Sequence, residues 1–455
     1  MDHPLAENIQ VHTFGCKVNT YDSGLIEKNI KNYSQAAVAE NKPFSKSAPI
    51  HILNTCAVTA EATKEALRYI RRLKSKEPLC TIVVTGCAAQ VDTGAFENLP
   101  GADLVVANSH KSQLPFLLDQ YFKGTLQQKT FKSNIFQKED LESGGGQESH
   151  HTRSFLKIQD GCNSFCTYCV IPFARGKSRS LGVQDLIEKV NMLHAEGVRE
   201  VVLTGVHIGD YEDTWRGSKA QLEDLVEALL LHTSMPRFRL SSLEPVEVSD
   251  RLLDLYKDSR LCPHFHMSIQ SANTSVLEKM KRKYTQQDVM QSLEKIYKKI
   301  PQVHVGMDVI VGFPNETDEL FLDTYQTLQN LPWTKIHVFP YSERPGTKAM
   351  QYTETVRREV RLQRAAQLRH LSQARYGEEA HKQLGQIKKV LLLKNSNKNA
   401  NALSRDYWQV QVESDPSSTW LSGTEVQVRL KDYIQGVSTI GEGYFSSELV
   451  MAEGL

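Results

Sequence analysis

The chain has 455 residues, of which 24% are charged and 40% hydrophobic, and its net charge is +1. That length predicts roughly two to four domains with full cores, and the near-zero charge excludes a protein coated with cations for nucleic acid. Mean hydropathy is −0.40, and no apolar run approaches the ~18 residues of a membrane span. The opening MDHPLAENIQVH carries acids and a proline, unlike a secretory signal. Eight cysteines are too sparse for a disulfide framework and fit metal ligation in a reducing cytosol, so a cytoplasmic protein is expected.

Residues 1–125 alternate short apolar runs with helical patterns. IQVHTF (9–14), PIHILN (49–54) and CTIVVT (80–85) read as buried strands, followed by helices near 21–31, 59–75 and 110–122. This alternation predicts a parallel sheet covered on both faces. Each strand runs into a cysteine: Cys16 in FGCKVN, Cys56 in NTCAVT, Cys87 in TGCAAQ. Loops after parallel strands share one sheet edge, where ligands bind. Three cysteines far apart in sequence should therefore converge as a three-thiolate site. Cys80 and Cys262 read as core thiols. Residues 126–152 change character, and SGGGQESHHT (143–152) reads as a flexible linker.

From 153 to about 350 the strand–helix beat resumes. SFLKIQ, EVVLTGV, FRLSSL, HFHMSIQ, HVGMDVIVG and KIHVFPY are six strands, with helices near 183–196, 219–232, 249–258, 285–299 and 316–330. Six such units predict a partial barrel whose reaction face is the mouth at the strand C-termini. Cys162, Cys166 and Cys169, in CxxxCxxC spacing, follow the first strand. Three thiolates from one loop suit three corners of a cubane cluster. Fe–S clusters ordinarily take four protein ligands, and no fourth cysteine or histidine stands nearby, so one iron is left for a small molecule. A zinc knuckle would complete four ligands locally. The other strand ends carry Gly205 and Gly209 in TGVHIGD, Ser242 and Glu244, Gln270 and Ser271, Gly312 and Pro314 in VGFP, and YSERPGT.

Two helices are strongly basic, KEALRYIRRLKSK (64–76) and RREVRLQRAAQLRHLSQAR (357–375). Each is either a phosphate-binding face or an ordinary solvated surface. The central domain with this trailing helix spans 153–380. Residues 385–450 turn strand-rich, with IKKVLLL, YWQVQV, TEVQVRL and GYFSSELV, which predicts a small β-barrel. Alternation along DYWQVQV places one of Tyr407 and Trp408 outward, as a base-stacking surface or core padding.

The stretch GCNSFCTYCVIPFARGKSRS (161–180) resembles the cluster loop of radical S-adenosylmethionine (AdoMet) enzymes. With FGCKVN, NTCAVT and VVTGCAAQ ahead of it, the chain resembles the radical AdoMet methylthiotransferases over nearly its whole length. The resemblance implies two [4Fe-4S] clusters. One is on Cys162, Cys166 and Cys169, its open iron chelated by AdoMet. An auxiliary one is on Cys16, Cys56 and Cys87. AdoMet would serve twice, once to methylate a cluster sulfur and once to yield a 5′-deoxyadenosyl radical. The Gly205–Gly209 loop would receive the methionine amino group, and VIVGFP would pack on adenine. Ser268 and Gln270 would be ribose or carboxylate partners, and Ser242 and Glu244, on the same rim, would also bind the cofactor. Tyr168 is an adenine neighbour or core. Arg175, Lys177 and Arg179 bind AdoMet carboxylate or tRNA phosphate. The C-terminal segment resembles the RNA-binding TRAM domain. Expected tRNA contacts are Arg361, Arg364, Tyr407 and Trp408.

Within the family, GCKVN at Cys16, together with ARGKSRS, MKRKYT and HVFPYSERPGT, is similar to enzymes acting on N6-threonylcarbamoyladenosine. Those acting on isopentenyladenosine carry GCQMN, and those acting on a ribosomal-protein aspartate carry GCPKN. The implied reaction is methylthiolation of C2 of adenosine 37 in the tRNA anticodon loop, with electrons from a flavodoxin or ferredoxin system. The alternatives are the isopentenyladenosine substrate and a non-catalytic RNA-binding Fe–S protein.

Overall fold

A computed structural model describes residues 8–39, 48–139, 141, 152–393, 399–413, 422–435 and 443–450. The N-terminal domain is a five-stranded parallel sheet in sequential order, β1 (Ile9–Thr13), β2 (Ile50–Thr55), β3 (Thr81–Gly86), β4 (Leu104–Ala107) and β5 (Thr130–Phe131). Every residue of β2, β3 and β4 is buried, as a parallel sheet with both faces covered requires. Helices α1 (Lys17–Ala39) and α2 (Ala60–Lys76) cover it. In α2 the buried residues Thr63, Ala66, Ile70 and Leu73 recur at helical spacing, and the Thr59 hydroxyl caps the first turn by accepting from the Ala62 amide. A short helix α3 (Cys87–Val91) begins directly at the end of β3. Strand β5 pairs with β4, so this domain runs past residue 125 into the expected linker. The glycine-rich part of that linker, 143–151, lies outside the described residues.

The central domain begins with β6 (Arg153–Lys157), the cluster loop and a short helix α4 (Ile171–Arg175). Its parallel strands continue with β7 (Glu200–Thr204), β8 (Phe238–Leu240), β9 (Ser242–Leu243), β10 (His264–Gln270), β11 (His304–Val311) and β12 (Lys335–Pro340). They form two sheets, β8-β7-β6 and β9-β10-β11-β12. The expected third strand is broken at Ser241, whose amide donates to Leu203 O at 3.0 Å, so one chain segment serves both sheets. The result is the expected open, partial barrel. Val305, Met307 and Val309 of β11 are fully buried toward the helices, which leaves Gly306 and Asp308 facing inward.

Helix α5 (Arg358–His381) leads to a closed barrel of β13 (Ile387–Leu392), β14 (Asn399–Ser404), β15 (Gln409–Glu413), β16 (Glu425–Ile434) and β17 (Tyr444–Leu449), in the order β13-β14-β15-β17-β16. Strand β14, NANALS, has no β-branched residue and was not among the four expected; it closes the barrel between β13 and β15.

Two buried ionic hubs join the domains. Asp22 of α1 accepts from Lys157 at 2.6 Å, Lys111 at 3.0 Å and Arg175 at 3.0 Å. Burial opposes its charge, but these three cations hold its carboxyl well below the usual range. At the other end, Glu200 takes Arg153 at 2.7 Å, Arg237 at 2.8 Å and Arg239 at 3.2 Å. Arg237 continues to Glu425 at 2.7 Å and to the carbonyls of Leu403 and Ser404, docking the small barrel. Removing one partner of a buried ion pair strands the others. Glu200→Ala should therefore cost about 3–5 kcal/mol, read as a lower denaturation midpoint. Burial raises the Glu200 pKa, but Arg239, Arg153 and Arg237 pull it well below its ordinary value. Its contribution is complete above about pH 4.3, the unfolded value, and is lost as pH falls below that. The variant and the parent should converge in stability in acid.

Candidate active site

The cluster loop leaves β6 through Gly161, at φ +76°, where a Cβ would lie 2.0 Å from Lys177 O; only glycine fits. The loop is pinned by Cys162 N to Gly176 O at 3.1 Å, Thr167 N to Met280 O at 3.1 Å and Thr167 Oγ1 to Lys279 O at 2.8 Å. Two amides point at sulfur, Ser164 N at Cys162 Sγ (3.4 Å) and Ile171 N at Cys169 Sγ (3.5 Å). Burial and the neighbouring Cys166 push the Cys169 thiol up to about 12. Burial would also raise Cys162, but hydrogen bonds from His207 and the Ser164 amide bring it below its ordinary value. Arg282 donates to Cys166 Sγ at 3.0 Å and pairs with Glu244 at 2.6 Å.

The second set gathers at the C-terminal edge of the N-terminal sheet. Cys16 is exposed at the start of α1; Cys56 and Cys87 are buried at the ends of β2 and β3. Gly15, at φ +95°, lies so close to Cys56 that a Cβ would sit 2.7 Å from its sulfur. Burial and Cys87 raise the Cys56 thiol to about 12. Cys87 Sγ accepts from Arg175 Nε at 3.2 Å and faces Asn108 Nδ2 at 3.6 Å. Arg175 is itself buried and bonded to Asp160 at 2.9 Å and Asn19 Oδ1 at 2.6 Å. It sits six residues beyond Cys169, so one guanidinium links the cluster loop to the other cysteine set.

Each set offers three thiols with a guanidinium on one sulfur, Arg282 on Cys166 and Arg175 on Cys87, which suits an anionic polynuclear cluster. Cys80 and Cys262 are buried core thiols.

The mouth is framed by charge. His207, in the loop after β7, contacts Asp210 at 3.1 Å, Glu247 at 2.5 Å, Glu244 at 3.2 Å and Cys162 Sγ at 3.9 Å. Burial opposes its proton, but bonds to Asp210, Cys162 and Glu247 raise its pKa well above the ordinary value. A Cβ at Gly205 would meet Gln159 O at 2.9 Å, and one at Gly209 would displace the Glu247 carboxylate, 2.0 Å away. Glu244 is buried on Arg282, while Ser242 and Ser268 are half-buried on the rim. Gln270 sits at φ +61° beside a register shift between β10 and β11. Tyr168 packs edge-on against Phe313 and lies 3.5 Å from Arg282. Gly312, at φ +71°, is covered by Arg361, and Pro314 is buried.

The expected tRNA contacts are engaged elsewhere. Arg361 is buried on Val356 O, Tyr341 O and Glu343, and Arg364 on Glu316 and Asp318. They clamp α5 to the barrel and are withheld from phosphate. Trp408 is core of the small barrel, 3% exposed. Tyr407, at φ +71°, stacks on His264 at 4.1 Å beneath Arg239. The expected phosphate role of Arg175 is likewise replaced by its bonds to Cys87 and Asp160, and Arg179 donates to Lys138 O. By contrast α2 exposes Lys64, Arg68, Arg71, Arg72 and Lys76. Phe165 and Phe173 are exposed beside the cluster loop, 6.1 Å apart. Arg282 and His207 were missed, although both lie in runs, MKRKYT and TGVHIGD, that stand out in the sequence.

The model of the radical SAM superfamily matches residues 156–328, and that of uncharacterized protein family UPF0004 matches residues 8–107. A threonylcarbamoyladenosine tRNA methylthiotransferase of Aquifex aeolicus is 33% identical over 390 residues, covering 85% of this chain and 93% of that protein. One of Bacillus subtilis is 34% identical over 80% of each chain. A tRNA-2-methylthio-N(6)-dimethylallyladenosine synthase of Desulfotalea psychrophila is 30% identical over 78% of this chain and 81% of its own. The fold is similar to that of TsrM from Kitasatospora setae, a radical AdoMet methyltransferase solved with cobalamin and a [4Fe-4S] cluster, at TM-score 0.52 and 14% identity over 75% and 76% of the two chains. The matches run through both cysteine sets, and the chain belongs to the radical AdoMet tRNA methylthiotransferases, enzymes of AdoMet and [4Fe-4S] clusters.

Proposed function

We propose that this enzyme methylthiolates C2 of N6-threonylcarbamoyladenosine at position 37 of tRNA, giving the 2-methylthio derivative. The observation that carries the reading is that Arg175, six residues beyond Cys169, bonds Cys87 of the other three-thiol set, in a chain whose relatives named for this nucleoside match over 80–85% of its length. Cys162, Cys166 and Cys169 would hold the radical-generating cluster, and Cys16, Cys56 and Cys87 the auxiliary one. When bound, these groups supply one-electron cleavage of AdoMet and the sulfur and methyl to be transferred.

The chain's own residues do the positioning. Arg282 and His207 offset thiolate charge at the mouth, and Arg175 does so at Cys87. The exposed cations of α2 suit backbone phosphates. Phe165 and Phe173 offer stacking faces for unpaired bases, and an anticodon loop presents an adenosine that a duplex would hide. The small C-terminal barrel serves as a TRAM-like RNA-binding module, and a flavodoxin or ferredoxin supplies electrons in the cytoplasm. The isopentenyladenosine substrate is the second reading, favoured by the relative named for the dimethylallyl nucleoside. Nucleoside analysis of tRNA from a strain lacking the gene separates them. Loss of the methylthio group from the threonylcarbamoyl nucleoside alone is expected. Loss confined to the isopentenyl nucleoside would reverse the assignment.

A further inference from the structure

Asp160 and Arg175 bracket the loop that carries Cys162, Cys166 and Cys169, and their side chains close its base. Arg175 is buried, and all the N–H groups of its guanidinium find acceptors. Nη1 meets both Asp160 oxygens, at 2.9 and 3.1 Å, and Nη2 meets Asn19 Oδ1 at 2.6 Å and Asp22 Oδ2 at 3.0 Å. With the fork so held, Nε–H is aimed at Cys87 Sγ, 3.2 Å away. Asn19 is itself fixed, its amide donating to Phe14 O at 2.7 Å and Thr55 O at 3.1 Å, just ahead of Cys16 and Cys56. Asn108 donates to Ala174 O at 2.9 Å and faces the same sulfur.

Behind Cys87 the charge is mostly positive. Lys157 and Lys111 share Asp22 with Arg175, Lys157 also reaches Asp160 at 3.2 Å, and Arg179 bears on Asp160 at longer range. Four cations thus face two carboxylates. The other set also has a guanidinium on one sulfur, Arg282 on Cys166, but the charge behind it differs. Arg282 pairs with Glu244, while Glu247 and Asp210 stand against His207 and the exposed Lys283 bears on Asp210. These three carboxylates balance Arg282, Lys283 and a protonated His207, and outnumber the cations when His207 is neutral. A cluster that takes up an electron becomes more negative, so N–H···S bonds and neighbouring cations raise its reduction potential, and acids lower it. We propose that Arg175, backed by Lys111 and Lys157, is a positioning residue that holds the auxiliary cluster at a higher reduction potential than the radical-generating one. This rests on the reading that Cys16, Cys56 and Cys87 hold the cluster that carries the transferred sulfur. The ordering suits the chemistry. The C2 hydrogen atom leaves with the 5′-deoxyadenosyl radical, the carbon radical joins a methylthiolate, and one electron is left over as the C–S bond forms. An iron–sulfur site of raised potential beside that sulfur is its acceptor.

The test uses two reconstituted full-length proteins that each hold one cluster, without AdoMet. One has Cys162, Cys166 and Cys169 changed to alanine, and the other has Cys16, Cys56 and Cys87 so changed. Electron paramagnetic resonance follows each reduced cluster against the solution potential. The auxiliary midpoint should lie above that of the radical set. In the auxiliary-only protein, Arg175→Gln should lower the midpoint by about tenfold in the one-electron equilibrium constant, ~59 mV. Lys111→Met should lower it by less, and should leave the midpoint of the radical-only protein unchanged. A purely structural Arg175 would alter iron content but not the midpoint of the cluster retained. Should Arg175→Gln hold no iron, Lys111→Met decides, since it leaves Asp22 with Lys157 and Arg175. An auxiliary midpoint at or below the other, one that neither substitution lowers, or an equal fall of both midpoints with Lys111→Met would overturn the proposal. Methylthio insertion by the protein lacking Cys16, Cys56 and Cys87 would instead overturn the reading of the auxiliary set.

Discussion

A protein with Cys162, Cys166 and Cys169 all changed to alanine should keep about four irons per chain where the parent holds about eight, and should form no 5′-deoxyadenosine from AdoMet. The reason is geometric. The three thiols lie on one loop pinned at Gly176, Lys279 and Met280, whereas Cys16, Cys56 and Cys87 lie at the ends of another domain's strands. The two sets share no thiol and lie on different elements, so the loss of one leaves the other able to hold its own cluster. Iron and sulfide analysis with product chromatography reads both quantities. A parent protein with only four irons would remove the second cluster from the account.

Changing Cys16, Cys56 or Cys87 singly to alanine should have the opposite signature. Methylthio insertion should fall below detection, while 5′-deoxyadenosine still forms, because the Cys162–Cys169 loop and its Arg282 and His207 contacts are untouched. Cys87→Ala should be the most disruptive to structure as well, since it leaves the buried Arg175 with one partner fewer. The loss of radical cleavage in Cys16→Ala, with the Cys162 cluster intact by spectroscopy, would show that the two sets do not divide the work this way.

Much of this architecture is legible in the chain. Strands of a parallel sheet are buried on both faces, so IHILNT and TIVVTG appear as apolar runs, and their common topology alone brings Cys16, Cys56 and Cys87 to one edge. What fails is the reading of single polar residues. Arg361 and Arg364 look like part of a solvated basic helix, yet with Ala365, Leu368, Ser372 and Tyr376 they fall on one buried stripe at helical spacing. That periodicity was available and outranks composition. Strand β14 escaped because Asn and Ala have low strand propensity and barrel closure overrides it. The bonds of Arg175 to Cys87 and of Arg282 to Cys166 span 88 and 116 residues, and no local pattern announces such pairings.

The central claim is that this chain joins sulfur and methyl to C2 of one particular nucleoside. The most direct measurement incubates the reconstituted enzyme, AdoMet and a chemical reductant with two tRNAs, one carrying threonylcarbamoyladenosine and one isopentenyladenosine at position 37. Digestion and mass spectrometry then identify the products. The account predicts the 2-methylthio derivative of the threonylcarbamoyl nucleoside, and little or none of the other. Methylthiolation of the isopentenyl nucleoside alone would contradict it.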